Sequence, residues 1–473
     1  MRHTVAIVGT TLCGWIAATA LAGRLPRDRY RIVMIDDGLD GDGLGDFAPV
    51  IAVPPAFAAF HADIGLDEAT LVGETGAGYA LGVAFGGWRS DGSAAFLPYG
   101  ETGAPNEGIA FHQLAGRLRA AGQTVRLADY AVAALAAQAG RFAPTAPITR
   151  ALHVPVARYA ALLRSAALRA GVAIAPAPFA AAAINEDGLV RLLTLEDGTE
   201  IEPLVVLDCS GAAATIAGRS SPACEDWSDW LPCNHAHAET VEADGTPPPY
   251  TQVDADTAGW TATWPLDGVD VRLTCSVDGV GRPFRAGRRV EAWRGNCIAL
   301  GAAAGVPEPL HPTALTLLLG ALARLIQLWP ANPRAPTEAA AFNRADAGAI
   351  EGARDFVVAQ YATAGRPGEF WDARRAGALP ERLAAKRDLF AARGRLPMFD
   401  DEPFEEADWA AMFDAMGLVP RRHDARADLV PIATIERHLA DHRTKIIAQV
   451  RTLPPYSPTV RHAMATPPKA PAA

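Results

Sequence analysis

The sequence predicts an α/β chain built on a Rossmann-type unit, with a largely helical second half. Three observations carry this. Thr4–Val8, Trp15–Leu25 and Tyr30–Ile35 read as strand, helix and strand in immediate succession. Later segments at 314–329, 338–363, 405–416 and 432–452 show helical spacing, the first of them stopped by Pro330. Finally, half of the 473 residues are hydrophobic and only 20% are charged, enough for a large core and incompatible with a disordered chain. A net charge of −10 excludes the clustered basic surface that nucleic acid requires.

Taken in order, Thr4–Val8 is an apolar, β-branched run closed by Gly9. The turn Gly9-Thr10-Thr11-Leu12-Cys13-Gly14 is a GxGxxG pattern with Thr11 at its second glycine. Such a turn brings a helix N-terminus, with its free N–H groups, toward a pyrophosphate. Thr11 either adds a hydroxyl contact there or crowds the phosphate. Trp15 begins the helix, and the second strand ends in Asp36, 22 residues after Gly14, where an acid receives ribose hydroxyls. A secretory signal would not be followed by that second strand and acid, so Arg2 and the apolar run 4–23 are read as part of a cytoplasmic nucleotide-binding unit.

Residues 1–330 form the expected α/β body, with substrate-side insertions near 45–110 and 225–270. A helical region follows at 331–453, and a Pro- and Ala-rich tail at 454–473 is expected to stay unpacked. The glycine-rich stretch Gly73–Gly108 is expected to be mobile. Six cysteines form no CxxC; Cys224, Cys233, His235 and His237 match no common zinc spacing and are read as buried thiols and strand histidines, with no metal. The segment 314–329 contains Arg324 and is too short to span a bilayer, so no membrane association is expected.

Five further segments occur in a fixed order: "LVVLDCSGAA" (204–213), "DWSDWLPCNHAHAE" (226–239), "PYTQVDADTAGWTATWPL" (249–266), "AWRGNCIALGAAAGVPEPLHPTAL" (292–315) and "RDFVVAQYATAGRPGEFW" (354–371). With the N-terminal unit they resemble the flavin-dependent tryptophan halogenases, from the first strand to about residue 420. The resemblance implies a flavin-monooxygenase-like fold holding FAD, which a separate flavin reductase supplies in reduced form. It also implies a small aromatic substrate, a homodimer, and halide oxidation to hypohalous acid that travels to a lysine assisted by a glutamate. Gly9, Thr11, Gly14, Trp15, Asp36, Asp208, Gly211, Gly301, Pro309, Thr313 and Ala314 match the family's cofactor-binding positions.

The catalytic positions depart from that pattern. Ala80, in Tyr79-Ala80-Leu81-Gly82, stands in the lysine's place, framed by Phe85 and Trp88, and the first lysine of the chain is Lys386. His311, in Pro309-Leu310-His311-Pro312-Thr313, stands in the glutamate's place and is the candidate for acid–base work. The family's Trp-x-Trp-x-Ile-Pro motif becomes Trp260-Thr261-Ala262-Thr263-Trp264-Pro265, and "GDFAPVIAVPP" (45–55) replaces its Gly-Glu-Ala-Thr segment. Three readings stay open. The first is a flavoprotein running another flavin–oxygen reaction, such as hydroxylation. The second is a non-catalytic subunit or substrate-binding partner, and the third a halogenase using His311.

Overall fold

A strand apolar on both faces belongs inside a parallel sheet, and Val5, Ala6, Ile7 and Val8 are all fully buried. The computed structural model describes residues 2–39 and 41–456. It places these residues in β1 (His3–Val8), followed by α1 (Leu12–Ala22) and β2 (Tyr30–Ile35). After these come α2 (Val156–Arg169), β3 (Ala173–Ile174), β4 (Val205–Asp208), β5 (Trp293–Arg294), β6 (Cys297–Ala299) and α3 (Ala314–Gln327). All lie in the first of two compact units, made of residues 1–75, 154–234 and 282–353.

The sheet order is β5-β6-β4-β1-β2-β3. Strand β1 runs parallel to both neighbours, with Val8 opposite Asp208 on one side and Ile35 on the other. Strand β6 is parallel to β4, with Ala299 opposite Asp208. Gly9, Asp36, Cys209 and Gly301 therefore leave the sheet at the same edge, the carboxyl ends where open α/β sheets bind ligands.

Helix α1 is apolar all round, and every residue but Ala20 is buried, as expected for a helix covered on both sides. It packs on β2 and against α2. It begins three residues before the expected Trp15 because Thr11 acts as its N-cap, the Thr11 side chain accepting from Gly14 N. The fingerprint turn is thus already the first turn of the helix. Strand β2 has the expected bounds.

The second unit takes in residues 76–153, 235–281 and 354 onward. Six of its strands follow the order His235–Glu242, Val269–Ser276, Gly259–Pro265, Thr251–Asp256, Gly82–Gly86, Ala95–Pro98. The strand Gly78–Ala80 pairs separately with Ala151–His153. Three of these strands come from the Gly73–Gly108 stretch that composition marked as mobile. Trp88 and Trp371 meet edge to face at 4.9 Å, and Trp260 Nε1 donates to Tyr361 Oη at 2.8 Å. Tryptophans far apart in sequence therefore build one core, each aromatic pair adding about 1 kcal/mol beyond burial.

C-terminal helices span Pro336–Thr363, Glu369–Ala376, Glu381–Arg393, Glu406–Met416 and Ile432–Thr452. The last matches its expected bounds, and Glu406–Met416 opens with a capping box from Glu405 and Asp408. Pro454 and Tyr456, placed by composition in an unpacked tail, are instead tied down. Phe142 N donates to Pro454 O and Tyr456 N to Gly140 O, leaving the Tyr456 ring buried. The rest of that tail, 457–473, lies outside the described residues. Among the described residues, no helix is long and apolar enough to cross a membrane. Cys224, read as a buried thiol, is exposed on the short strand Cys224–Asp226.

Candidate functional site

The carboxyl edge of the first unit gathers Gly9, Thr11, Gly14, Asp36, Asp208, Gly211 and Gly301. Gly9 has φ +110°, and a Cβ there would lie 2.6 Å from Cys209 O. A Cβ on Gly14 would lie 2.1 Å from Gly9 O. These glycines let β1, α1 and the turn after β4 close on one another. Asp36 is exposed at the end of β2, where its Oδ1 accepts from Thr10 Oγ1 at 3.2 Å and from Gly38 N at 3.0 Å.

Thr11 is engaged within the protein. Its hydroxyl is buried, donates to Cys209 O at 3.0 Å and accepts from Gly14 N at 3.3 Å. The side chain is a cap and a tie between α1 and the β4 turn. Replacing Thr11 with Val should therefore cost the cofactor-free protein about 1–2 kcal/mol, the usual loss for an N-cap. Urea denaturation would measure this, and an unchanged midpoint would refute the capping role.

Asp208 is likewise internal. One carboxylate oxygen accepts from Ser210 N and Ser210 Oγ, the other from Ile216 N at 2.9 Å and Ala217 N at 2.7 Å. It folds the turn bearing Gly211 (φ +68°) rather than reaching outward. Trp15 is buried, with Nε1 donating to Thr10 O at 3.0 Å.

The sequence reading missed the acids of the following loop. Asp42 and Asp46 close a ring of hydrogen bonds. Asp42 Oδ1 accepts from Leu44 N and Asp46 N, and Asp46 Oδ1 accepts from Asp42 N and Gly43 N. Burial, together with the neighbouring Asp46 carboxylate, pushes the Asp42 carboxyl well up. Although burial raises Asp46 too, hydrogen bonds from Asp42 and Gly43 and the Arg282 guanidinium at 3.2 Å hold it below the usual range. Asp37, beside Asp36, rises to about 6 through burial. A pattern of Asp alternating with Gly (Gly41-Asp42-Gly43-Leu44-Gly45-Asp46) was the available signal.

Toward α3, Gly301 and Ala314 share the wall of one small cavity with Leu44, Pro307 and Asp346, about 20 Å³ in volume. That is room for a single water. His311 is half-buried, and desolvation lowers its pKa to about 4. It is a neutral imidazole at neutral pH, and a weaker base than an ordinary histidine. Thr313 N donates to His311 O at 2.7 Å. Pro309 is half-buried beside it. Glu308, unremarked in the sequence, is fully buried between Pro307 and Pro309.

Ala80 belongs to the second unit. It is fully buried, pairs with Ala151 across the strand, and is flanked by buried Tyr79 and Leu81. Two positions away, Gly78 pairs with His153, a fully buried histidine whose Nε2 lies 2.8 Å from Thr251 Oγ1. A single histidine inside the apolar strand "ALHVP" was the signal for it. Lys386, the first lysine of the chain, is engaged elsewhere in this unit, with Nζ 2.6 Å from each carboxylate oxygen of Glu402.

The model of the tryptophan halogenase family matches residues 4–273 and 270–432. The chain belongs to the tryptophan halogenase family. Its fold is that of BrvH, a flavin-dependent halogenase from Brevundimonas sp. BAL3, at a TM-score of 0.89 and 31% identity over 99% of this chain and 100% of that one. Tryptophan 6-halogenase ThaL of Streptomyces albogriseolus is 25% identical over 95% of this chain and 96% of that protein. A 28% identical match to tryptophan 6-halogenase SttH of Streptomyces toxytricini takes in 43% of this chain and 44% of SttH.

Proposed function

We propose that this chain is an FAD-binding enzyme acting on a small aromatic substrate with reduced flavin and oxygen, by a reaction that does not pass through a lysine. Hydroxylation is the simplest such reaction. FAD, when bound and reduced, supplies the electrons that activate oxygen. Asp36 and Thr10 would hold its ribose, the Gly9–Gly14 turn its phosphates, and Gly301 and Ala314 the region toward its ring. His311, neutral by burial, would accept a proton from the substrate side.

The observation that carries this reading is Ala80. It is fully buried where the family resemblance expects an amine. Lys386 is no substitute, since its ammonium is already paired with Glu402. The committed hydroxyl of Thr11 favours a second reading, a non-catalytic partner of an active relative.

Titration of the purified chain with oxidised and reduced FAD is expected to show binding. Supplied with a flavin reductase and a panel of indoles and phenols, the protein should give an oxygenated product whose yield ignores bromide. A brominated product would instead support halogenation through His311. Binding of FAD without any turnover would support the non-catalytic reading.

A further inference from the structure

The last turn of α1, the helix Phe57–Asp63 and the second half of α3 enclose a trench of about 440 Å³ within the first unit. Pockets that hold small molecules begin at roughly 300 Å³ and often lie between helices. The trench is at the end of α1 opposite to the glycine turn, about 16 Å of helix away. It exists because the facing residues are small. Ala20 is the one α1 residue left half-buried, and a Cβ on Gly23 would meet only the Thr19 and Ala20 carbonyl oxygens, at 3.7 Å and 3.8 Å. Ala59 and Ala323 are exposed on the other two helices.

The walls are apolar and incompletely covered. Leu318 and Leu325 of α3 are buried, whereas Leu319 and Ile326, which line the trench, are only half-buried. Helix α3 thus carries a second apolar strip, whose contact with water is a standing cost. One pair of opposite charges stands beside that strip. Arg24, just past the end of α1, donates through Nη2 to Asp63 Oδ2, and both residues line the trench. Their side chains are 55% and 57% exposed, so the pair is weakly held and readily exchanged. A ligand with a single charge would meet the right partner and the wrong one together. A ligand carrying both charges satisfies each.

We propose that this trench binds a small zwitterion with an apolar body, the class of the apolar α-amino acids. Its carboxylate takes the place of Asp63 on Arg24, and its ammonium takes the place of Arg24 on Asp63. Its side chain covers Leu319 and Ile326 opposite Phe60. Binding exchanges one exposed ion pair for two and removes the apolar strip from water. Neither flavin nor the glycine turn takes part, so this site stands or falls apart from the flavin reading.

Ligand-observed NMR titration of the full chain with L-norleucine tests this, an aliphatic probe chosen to keep a site for aromatic substrates out of the measurement. Norleucine is expected to bind saturably. Hexanoate, which lacks the ammonium, and pentylamine, which lacks the carboxylate, should each bind at least about tenfold more weakly. Arg24→Met should weaken norleucine by a similar factor. Ala323→Trp, which sets an indole in the trench from an exposed position, should abolish its binding and carries the test if Arg24→Met does not fold. Absence of saturation by norleucine, or equal affinity for the three probes, overturns the proposal. Undiminished binding by either folded variant overturns it as well.

Discussion

Lys386→Met will destabilise the protein by about 3–5 kcal/mol, the usual cost of removing one partner from a buried ion pair. The lysine side chain is 2% exposed and its partner Glu402 is 4% exposed. Desolvation lowers the pKa of Lys386, and the Glu402 carboxylate opposes that shift. The ammonium also lies 4.3 Å from the centroid of the buried Trp409 ring, so a cation–π contact is lost in the same step. Methionine fills the space but leaves the buried Glu402 carboxyl without its partner.

Replacing both residues, Lys386→Met with Glu402→Leu, removes the stranded charge and should recover most of the loss. Chemical denaturation of the three proteins measures the difference, and a single variant within about 1 kcal/mol of wild type would contradict a buried pair. The double variant serves a second purpose. If Lys386 only braces the C-terminal helices, the double variant keeps both FAD affinity and product formation. Loss of turnover with unchanged FAD affinity would instead make this lysine the missing amine.

Local rules expose much of this architecture in the sequence. The β1–α1–β2 unit follows from apolar runs, a glycine turn and a terminal acid, and β2 and the helix Ile432–Thr452 have the bounds that periodicity assigns. Start of α1 at Leu12 was hidden because Thr11, read against a glycine pattern, looked like a flaw in a binding motif rather than an N-cap. The sheet of the second unit was hidden for another reason. Its strands Gly82–Gly86 and Thr251–Asp256 pair across more than 160 residues, and no window along the chain holds both.

The site was legible in its residue types and opaque in their engagements. Glycines at 9, 14 and 301 do gather at one edge, but Asp208 and Thr11 turn inward, and the loop acids Asp42 and Asp46 face one another. Thr11 finds its acceptor 198 positions away at Cys209, whereas the partners of Asp208 and of the loop acids lie within nine residues, in turns that no periodicity marks. Fingerprint residues therefore mark the place of a site without stating whether each side chain is free to serve it.

Gly9→Ala tests how much of the fingerprint is required by the fold itself. At φ +110° an alanine is strained, and its Cβ would lie 2.6 Å from Cys209 O, 2.7 Å from Cys209 C and 2.9 Å from Ser210 N. These are backbone atoms of the turn braced by Asp208, so no side chain can swing aside to make room. A loss above about 4 kcal/mol is expected, in the range that marks a specific structural lesion. Gly198→Ala separates the two causes. It has φ +84° with nothing within 4 Å of the added Cβ, and should cost only the dihedral strain, about 1–2 kcal/mol. Both are to be measured by denaturation of protein stripped of flavin. A large Gly9 effect under those conditions means that strand packing alone holds this glycine in place. A loss no greater than that of Gly198→Ala would mean that the turn can shift, and that the demand for glycine there comes from the cofactor.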